Sequence, residues 1–200
     1  MNFDVAKLDA RAKYRLLTGG VTPRPVAWIS TRSKSGVDNL APYSFFTVAS
    51  CDPPVLLYTQ VNQRSGLDKD TLNNLNETGV CVVNIASADL LAQMNQTSAG
   101  IDSDQSEFDF AEVEHCSSNK VACLSVAQSP VRYECKLREK ISLGDLPTGG
   151  TIILLDVIDI FVRDELLTET GVDQQLIDSV GKMGGDGFSL TRDYIELTRP

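Results

Sequence analysis

The chain has 200 residues, of which 42% are hydrophobic and 22% are charged, and its formal net charge at pH 7 is −9. This length and composition are typical of a globular protein, here expected to be a single domain spanning residues 1–200. An acidic chain with a pI of about 4.6 repels phosphate backbones, which argues against nucleic acid and anionic membranes as partners.

No segment is predicted to enter or cross a membrane. The most apolar run, Thr151 to Val162, is interrupted by two aspartates and is shorter than the ~20 residues that span a bilayer. The charged N-terminus lacks the apolar centre of a signal peptide. Five cysteines without a C-x-x-C motif complete the pattern of a cytoplasmic protein with reduced, mostly buried thiols.

No metal site is expected. The chain has one histidine, His115, directly before Cys116. The two could form a metal pair, but a lone histidine is more often a surface or packing residue.

The first half of the chain alternates helices with strands. Pro42 interrupts one strand and predicts an edge position or a bulge, because a central strand does not tolerate proline. The apolar run VCVVNIA is expected at the centre of a sheet. The predicted elements are a helix over Leu8–Leu17 that stops at Gly19-Gly20, strands over Val26–Thr31, Asp38–Ala49, Val55–Val61 and Val80–Ala86, a turn over Ser33–Gly36, and a helix over Lys69–Thr78 that stops at Gly79.

In the second half, strands joined by short turns predominate. They predict an antiparallel sheet or barrel with helices on its outside. The common glycine-rich dinucleotide and P-loop motifs are absent. The predicted elements are a helix over Ala88–Met94, an acidic helix or excursion outside the core over 97–120 with Phe108 and Phe110 as anchors, strands over Pro130–Ile141 and Thr151–Arg163, a helix over Asp173–Ser179, and short β-prone runs after GKMGGDG.

The motif KDT, residues Lys69 to Thr71, lies at the predicted start of a helix. The first backbone N–H groups of a helix are unpaired and its N-terminus is partly positive, so a phosphate binds there readily. Lys69 would add a charge and Thr71 a hydroxyl donor. Taken alone, the motif more often serves the helix itself, with Asp68 or Asp70 as its cap and Lys69 in solvent.

Two earlier segments have a comparable ambiguity. In NLAPYSFF, Ser44 and the backbone around Pro42 could meet a flavin ring, although Phe45 and Phe46 alone are more typical of a strand core. In TPRPVAWIST, prolines stiffen the chain around Arg24, which could pair with a phosphate or a pyrimidine carbonyl or lie in a surface turn.

Two other side chains near these segments are also ambiguous. Trp28 could pack in the core or flank a ligand. Cys51 could approach a bound ring, but a buried structural thiol is the favoured interpretation.

The order and spacing of these segments are more specific than any one of them. The series PRPVAWIST, NLAPYSFF, DPP, KDTLNN and GVCVVNIA resembles the flavin reductase-like family of FMN-binding split-barrel proteins. The similarity runs through Tyr14–Ala86 and resumes at Ser129–Leu137 and in GKMGGDGF, whereas residues 97–120 match only loosely.

The resemblance implies a mainly β fold with peripheral helices, namely a six-stranded antiparallel Greek-key split barrel. Members are usually homodimers with one FMN per subunit near the interface. The implied activity is that of an NAD(P)H:flavin oxidoreductase, in which FMN takes electrons from NADH or NADPH and passes them to free flavin, ferric iron or a partner oxygenase or redox protein. The alternative is an FMN-binding electron carrier or sensor without nicotinamide turnover of its own.

The resemblance also assigns the site. Arg24 and Pro25 would lie at the flavin, and Asn39 and Ala41 through Phe45 would contact its ring and ribityl chain. The implied cofactor-binding residues are Arg24, Pro25, Asn39, Ala41, Pro42, Ser44, Phe45 and Thr47, with Lys69, Asp70 and Thr71 at the phosphate. No catalytic side chain is implied, because the flavin supplies the chemistry. Relatives often have GRxGG where this chain has GKMGG, so Lys182 keeps the charge but lacks the two-pronged geometry of arginine.

Overall fold

The computed structural model describes residues 1–62 and 69–198, in which strands are the main regular structure. The strands are β1 (Arg24–Pro25), β2 (Ala27–Arg32), β3 (Asp38–Tyr43), β4 (Phe46–Cys51), β5 (Pro54–Val61), β6 (Val80–Ile85), β7 (His115–Ser117), β8 (Leu124–Val126), β9 (Val131–Ser142), β10 (Gly150–Val162), β11 (Leu167–Thr168), β12 (Gly171–Val172), β13 (Val180–Lys182) and β14 (Phe188–Leu190).

One large sheet has the strand order β3-β2-β6-β9-β10-β5-β4, and every neighbouring pair in it is antiparallel. Only Ser44 and Phe45 separate β3 from β4, yet β3 pairs with one end of the sheet and β4 with the other. The two are halves of one bent strand that closes the sheet, and Thr59 N donates to Phe45 O at 2.8 Å beside the bend. Counting the bent strand once confirms the six-stranded antiparallel barrel.

The strand predictions agree closely with this sheet. Val80–Ala86 corresponds to β6, which lies between β2 and β9 at the centre, as its apolar sequence indicated. Pro42 lies within β3, opposite Trp28 of β2. A proline fits there because β3 is the terminal strand of the sheet and pairs with β2 alone. The interruption of the strand falls two residues later, at the bend.

Helices pack outside the barrel. They are α1 (Ala10–Gly20), α2 (Asp70–Thr78), α3 (Leu91–Gln96), α4 (Glu107–Phe110) and α5 (Gln174–Ile177), with 3-10 turns at Val5–Lys7, Ala88–Leu90 and Asp164–Leu166. The predicted stop at Gly19-Gly20 is confirmed, because α1 ends at Gly20, although both glycines belong to the helix. The predicted stop of α2 is confirmed, since Gly79 has φ 72°, a left-handed conformation that glycine adopts without strain.

The start of α2 differs from the prediction that an aspartate caps it. Lys69 occupies the N-cap position and makes no side-chain capping bond, while Asp70 is the first helical residue. Asp68, the other proposed cap, lies outside the described residues. The helix therefore begins with a cation where a capping acceptor is usual.

Two apolar cores lie on either side of the sheet. The barrel core contains Ala27, Ile29, Tyr43, Leu56, Tyr58, Leu72, Leu75, Cys81, Val83, Cys135, Ile153 and Leu155. The second core contains Val26, Trp28, Leu40, Ala86, Leu90, Met94, Phe108, Ala111, Val113, Val126 and Val180. Trp28 is completely buried in the second core, where its indole N–H donates to Thr97 Oγ1 at 2.8 Å. It is therefore a core residue.

Of the two phenylalanines predicted to anchor the helix or excursion over residues 97–120, Phe108 is confirmed as an anchor and Phe110 is not. Phe108 is buried in the second core, whereas Phe110 is exposed. Residues two apart on a helix face different directions, so the single turn of α4 can bury one phenylalanine and not the other.

The C-terminal part of the chain adds a small sheet of order β1-β13-β14, which places Arg24 opposite Lys182. Beyond β14 the predicted β-prone run YIELT has no regular structure. Within residues 1–62 and 69–198, no helix is both long enough and apolar enough to cross a membrane.

Candidate functional site

A cavity of about 310 Å³ lies between the start of α2, strand β3 and the segment that follows α3; it is called the anion cavity below. The residues that line it are Asn39, Ala41, Pro42, Tyr43, Lys69, Asp70, Thr71, Thr97, Ser98, Ala99, Gly100, Ile101 and Glu107. Six of the eleven predicted cofactor-binding residues are among them.

Lys69 is the cationic side chain of the anion cavity. Its ammonium group lies 5.2 Å from the centre of the Tyr43 ring, and its side chain is only partly exposed. Among the described residues, no carboxylate lies within 4.0 Å of this ammonium. Burial lowers the pKa of Lys69, as expected for a charge moved out of water without a counter-charge. A bound anion would supply that counter-charge.

A buried polar network supports the floor of the cavity. Thr71 Oγ1 donates to Asn39 Oδ1 at 2.8 Å, and Asn39 Nδ2 donates to Glu107 Oε2 at 2.9 Å. The same Glu107 oxygen accepts from the backbone N–H of Leu40 at 2.9 Å. These bonds fix α2, β3 and α4 relative to one another. The hydroxyl proton of Thr71, which we expected to face a phosphate, is used inside the protein.

Glu107 was not among the predicted site residues. It is 6% exposed, and burial raises the pKa of its carboxyl group, an effect that the hydrogen bonds from Leu40 and Asn39 oppose. No sequence signal distinguishes it from the other acidic residues of its polar segment, because its partners Asn39 and Leu40 lie 68 and 67 positions away.

A second cavity, of about 440 Å³, has mainly apolar walls and is called the apolar cavity below. It is lined by Leu17, Thr18, Val21, Pro23, Arg24, Pro25, Ser44, Phe45, Phe46 and Thr47. The other five predicted residues, Arg24, Pro25, Ser44, Phe45 and Thr47, are here. Tyr43 lines the anion cavity and the next residue, Ser44, lines the apolar cavity, so the chain passes from one cavity to the other at the bend between β3 and β4.

Arg24 is 7% exposed, which rules out the surface-turn interpretation. Its Nη1 donates to the carbonyl oxygens of Thr18 at 2.6 Å and Val21 at 2.7 Å, and its Nη2 donates to Met183 O at 3.1 Å. A longer contact of 3.4 Å joins its Nε to Ser44 Oγ. The guanidinium therefore borders the apolar cavity while most of its donors hold backbone carbonyls. Its contact with a flavin stays a prediction.

Three other candidates lie outside both cavities. Lys182 Nζ donates to the carbonyl oxygens of Gly185 at 2.5 Å and Gly187 at 3.1 Å, within its own loop. The favoured interpretation of Cys51 as a buried thiol is wrong: it is exposed, because it ends β4 where the chain turns into β5. His115 packs edge-on against Phe108, with ring centres 5.7 Å apart. In the described ranges no group of three or more histidine, cysteine or acidic side chains is placed to hold a metal.

Comparison with known proteins adds an independent result. The family described as "Flavin reductase like domain" matches residues 19–181. An uncharacterized protein of Halalkalibacterium halodurans is 31% identical to this chain, covering 100% of it and 97% of the relative. Nitrilotriacetate monooxygenase component B from Bacillus cereus has a similar structure, with a TM-score of 0.93, 28% identity and 98% of each chain covered. The 2-nitrobenzoate 2-nitroreductase NbaA of Pseudomonas fluorescens gives a TM-score of 0.89 at 27% identity, over 100% of this chain and 96% of NbaA.

Proposed function

The chain belongs to the flavin reductase-like family, and we propose that it is an FMN-dependent oxidoreductase that takes electrons from NADH or NADPH. The observation that carries the proposal is the anion cavity. There a partly buried lysine, with no carboxylate within 4.0 Å among the described residues, lies at the N-terminus of a nine-residue helix. Phosphate monoesters are suited to such a site, because the helix end and the ammonium both favour negative charge.

The residues that line the two cavities fit the two ends of FMN. Lys69 and the first backbone N–H groups of α2 would hold the phosphate. The apolar cavity, with Phe45, Phe46 and Pro25 in its walls, would take the ring. The short stretch Pro42–Ser44 runs from one cavity to the other, so one extended ligand could contact both.

In this arrangement the role of the protein is to bind and orient the flavin. FMN, when bound, supplies the hydride chemistry through its own ring. Arg24 is the one ionisable side chain among the described residues that line the apolar cavity, and its donors are largely committed to backbone carbonyls. The chain's residues therefore position the ring and exclude water from one of its faces, and no side chain need act as a general acid.

The electron acceptor is proposed by analogy. One structural neighbour is component B of a monooxygenase. By analogy, the electrons would pass to free flavin, to ferric iron or to a partner oxygenase or redox protein. We further propose a cytoplasmic homodimer of single-domain subunits, in which a second copy covers the apolar cavity. The thiols of Cys51, Cys81, Cys116, Cys123 and Cys135 are free, in agreement with a reducing compartment.

The test is an absorbance spectrum of the purified protein incubated with FMN, recorded before and after anaerobic addition of NADH or NADPH. We expect flavin bands that co-elute with the protein and bleach within seconds with one of the two donors. Bands that persist with both donors would indicate the electron carrier or sensor instead. A folded protein without flavin bands after incubation would contradict the proposal.

A further inference from the structure

Tyr43 has an unusual hydroxyl group at the edge of the anion cavity. The residue is 5% exposed and ends strand β3, where alternate residues share a face. Tyr43 therefore lies on the same face as Asn39 and Ala41, the face that looks toward α2. Its ring packs in the barrel core, and Lys69 lies over that ring.

The Tyr43 hydroxyl has no hydrogen-bond partner among the described residues. The groups that act on it are those around the start of α2: it faces Thr71, outside hydrogen-bond geometry, and the carboxylates of Glu107 and Asp70 are near. Burial raises the pKa of the phenol, the neighbouring Thr71 side chain opposes this, and the two carboxylates add a smaller increase, so the phenol keeps its proton at neutral pH. It is a donor that lacks an acceptor.

Buried polar groups without partners are rare in folded proteins, and each calls for an explanation such as a ligand or a water. Among the described residues, the Tyr43 hydroxyl is such a group, and beside it lies the partly buried Lys69 ammonium, which has no carboxylate within 4.0 Å there. Both residues line the anion cavity of about 310 Å³. One phosphate group could satisfy both, because its oxygens accept several hydrogen bonds at once.

We propose that the Tyr43 hydroxyl donates a hydrogen bond to the phosphate of FMN and is a specificity-determining residue of the site. This inference rests on the proposed function. The phosphate is favoured over the ribityl chain as acceptor because the hydroxyl faces the helix start, where Lys69, Asp70 and Thr71 lie. A donor is needed there in particular, since the Thr71 proton is used by Asn39 and two carboxylates border the same cavity.

The chain offers a matched control in Tyr58. Its hydroxyl is also buried and has no partner in the described part of the chain, and its ring centre lies 4.9 Å from that of Tyr43, but Tyr58 does not line the anion cavity. Tyr43→Phe and Tyr58→Phe therefore remove the same kind of group from the same core. Phenylalanine at position 43 keeps the ring under Lys69. Lys69→Met, with the exposed lysine variant Lys34→Met as its control, tests the rest of the phosphate site.

The experiment measures the dissociation constants of FMN and riboflavin for the full-length wild type and the four variants, by fluorescence titration. Only FMN carries the phosphate. We expect Tyr43→Phe to weaken FMN binding roughly tenfold or more, the usual effect of losing a hydrogen bond to a charged group, and to leave riboflavin unchanged. Tyr58→Phe should change neither, and Lys69→Met should weaken FMN alone. Melting temperatures would confirm that the variants fold.

Each other outcome is decisive. Equal losses for FMN and riboflavin in Tyr43→Phe, or equal losses in Tyr43→Phe and Tyr58→Phe, would overturn the phosphate assignment. If Lys69→Met weakens FMN while Tyr43→Phe does not, the hydroxyl is satisfied by water and this inference alone fails. If the folded wild type binds neither FMN nor riboflavin, both the proposed function and the inference about Tyr43 are wrong.

Discussion

Glu107 is a single buried carboxylate that organises the floor of the anion cavity. One of its two carboxylate oxygens, Oε2, accepts hydrogen bonds from Asn39 and Leu40. Asn39 in turn accepts a hydrogen bond from Thr71 at the start of α2. Burial raises the pKa of Glu107. A carboxyl group whose pKa is higher in the folded chain than in the unfolded chain stabilises the fold fully below the unfolded pKa. That stabilisation is lost as the pH rises through the folded pKa.

Glu107→Gln should therefore change stability in a pH-dependent way. Glutamine keeps a carbonyl oxygen for Asn39 and Leu40 but cannot ionise, so it avoids the free-energy penalty of a buried charge. We expect the melting temperature of the variant, relative to the wild type, to increase as the pH rises from about 4 to about 7.5. Differential scanning fluorimetry across that range measures it, with the exposed Glu169→Gln as control. If the melting-temperature difference between variant and wild type stays constant or falls with pH, the conclusion that Glu107 loses stabilising energy as it ionises is wrong.

At the scale of elements, Arg24 joins α1 to the C-terminal loop. Its guanidinium holds the carbonyls of Thr18 and Val21 at the end of α1 and the carbonyl of Met183 in the loop after β13. The flanking prolines of the sequence indicated that this arginine is held in place, and it is. The carbonyl groups that it faces are 6, 3 and 159 positions away in the sequence. No local sequence pattern predicts the contact with Met183, the most distant of the three.

Arg24→Ala should consequently loosen these peripheral elements while the barrel stays folded. Leaving several backbone carbonyls without their charged donor should lower the free energy of unfolding by about 3 kcal/mol, measured by urea denaturation. Hydrogen exchange should rise in α1 and in β13 more than in the central strand β6. The exposed Arg15→Ala on α1 is the control. Unchanged exchange in α1 and β13 would show that Arg24 does not tie these elements together.

The sequence predicted most elements of the barrel and fewer of the contacts between them. Hydrophobic runs and turn residues located β6, β9 and β10 to within a few residues, because strand patterning is local. The closure of the barrel depends on Ser44 and Phe45 bending one strand between β2 and β5, and no local pattern fixes that direction. The motif KDT located the anion cavity, but Glu107 and the unpaired hydroxyl of Tyr43 emerge only from tertiary contacts.

The whole molecule has an apolar cavity that opens onto apolar surface. Leu17 and Val21 line this cavity and are themselves 67% and 61% exposed. Exposed apolar side chains grouped around a cavity are typical of an interface, and homodimers are the commonest assemblies of soluble proteins. A second copy placed here would bury these side chains and would narrow the access of water to a flavin ring in the same cavity.

The proposed homodimer makes the last prediction. Wild-type protein should have about twice the subunit mass of 21.8 kDa in light scattering coupled to size exclusion. Leu17→Glu should shift it to the monomer, because a carboxylate in an apolar interface must lose its water without gaining a partner. Leu146→Glu is the matched control, since Leu146 is 78% exposed in the turn between β9 and β10, outside both cavities. If the interface covers the ring, Leu17→Glu should weaken FMN and riboflavin equally, unlike Lys69→Met. A wild-type monomer would contradict the proposed homodimer. A Leu17→Glu variant that still dimerises would show that the dimer interface lies elsewhere and that the apolar cavity stays open to solvent.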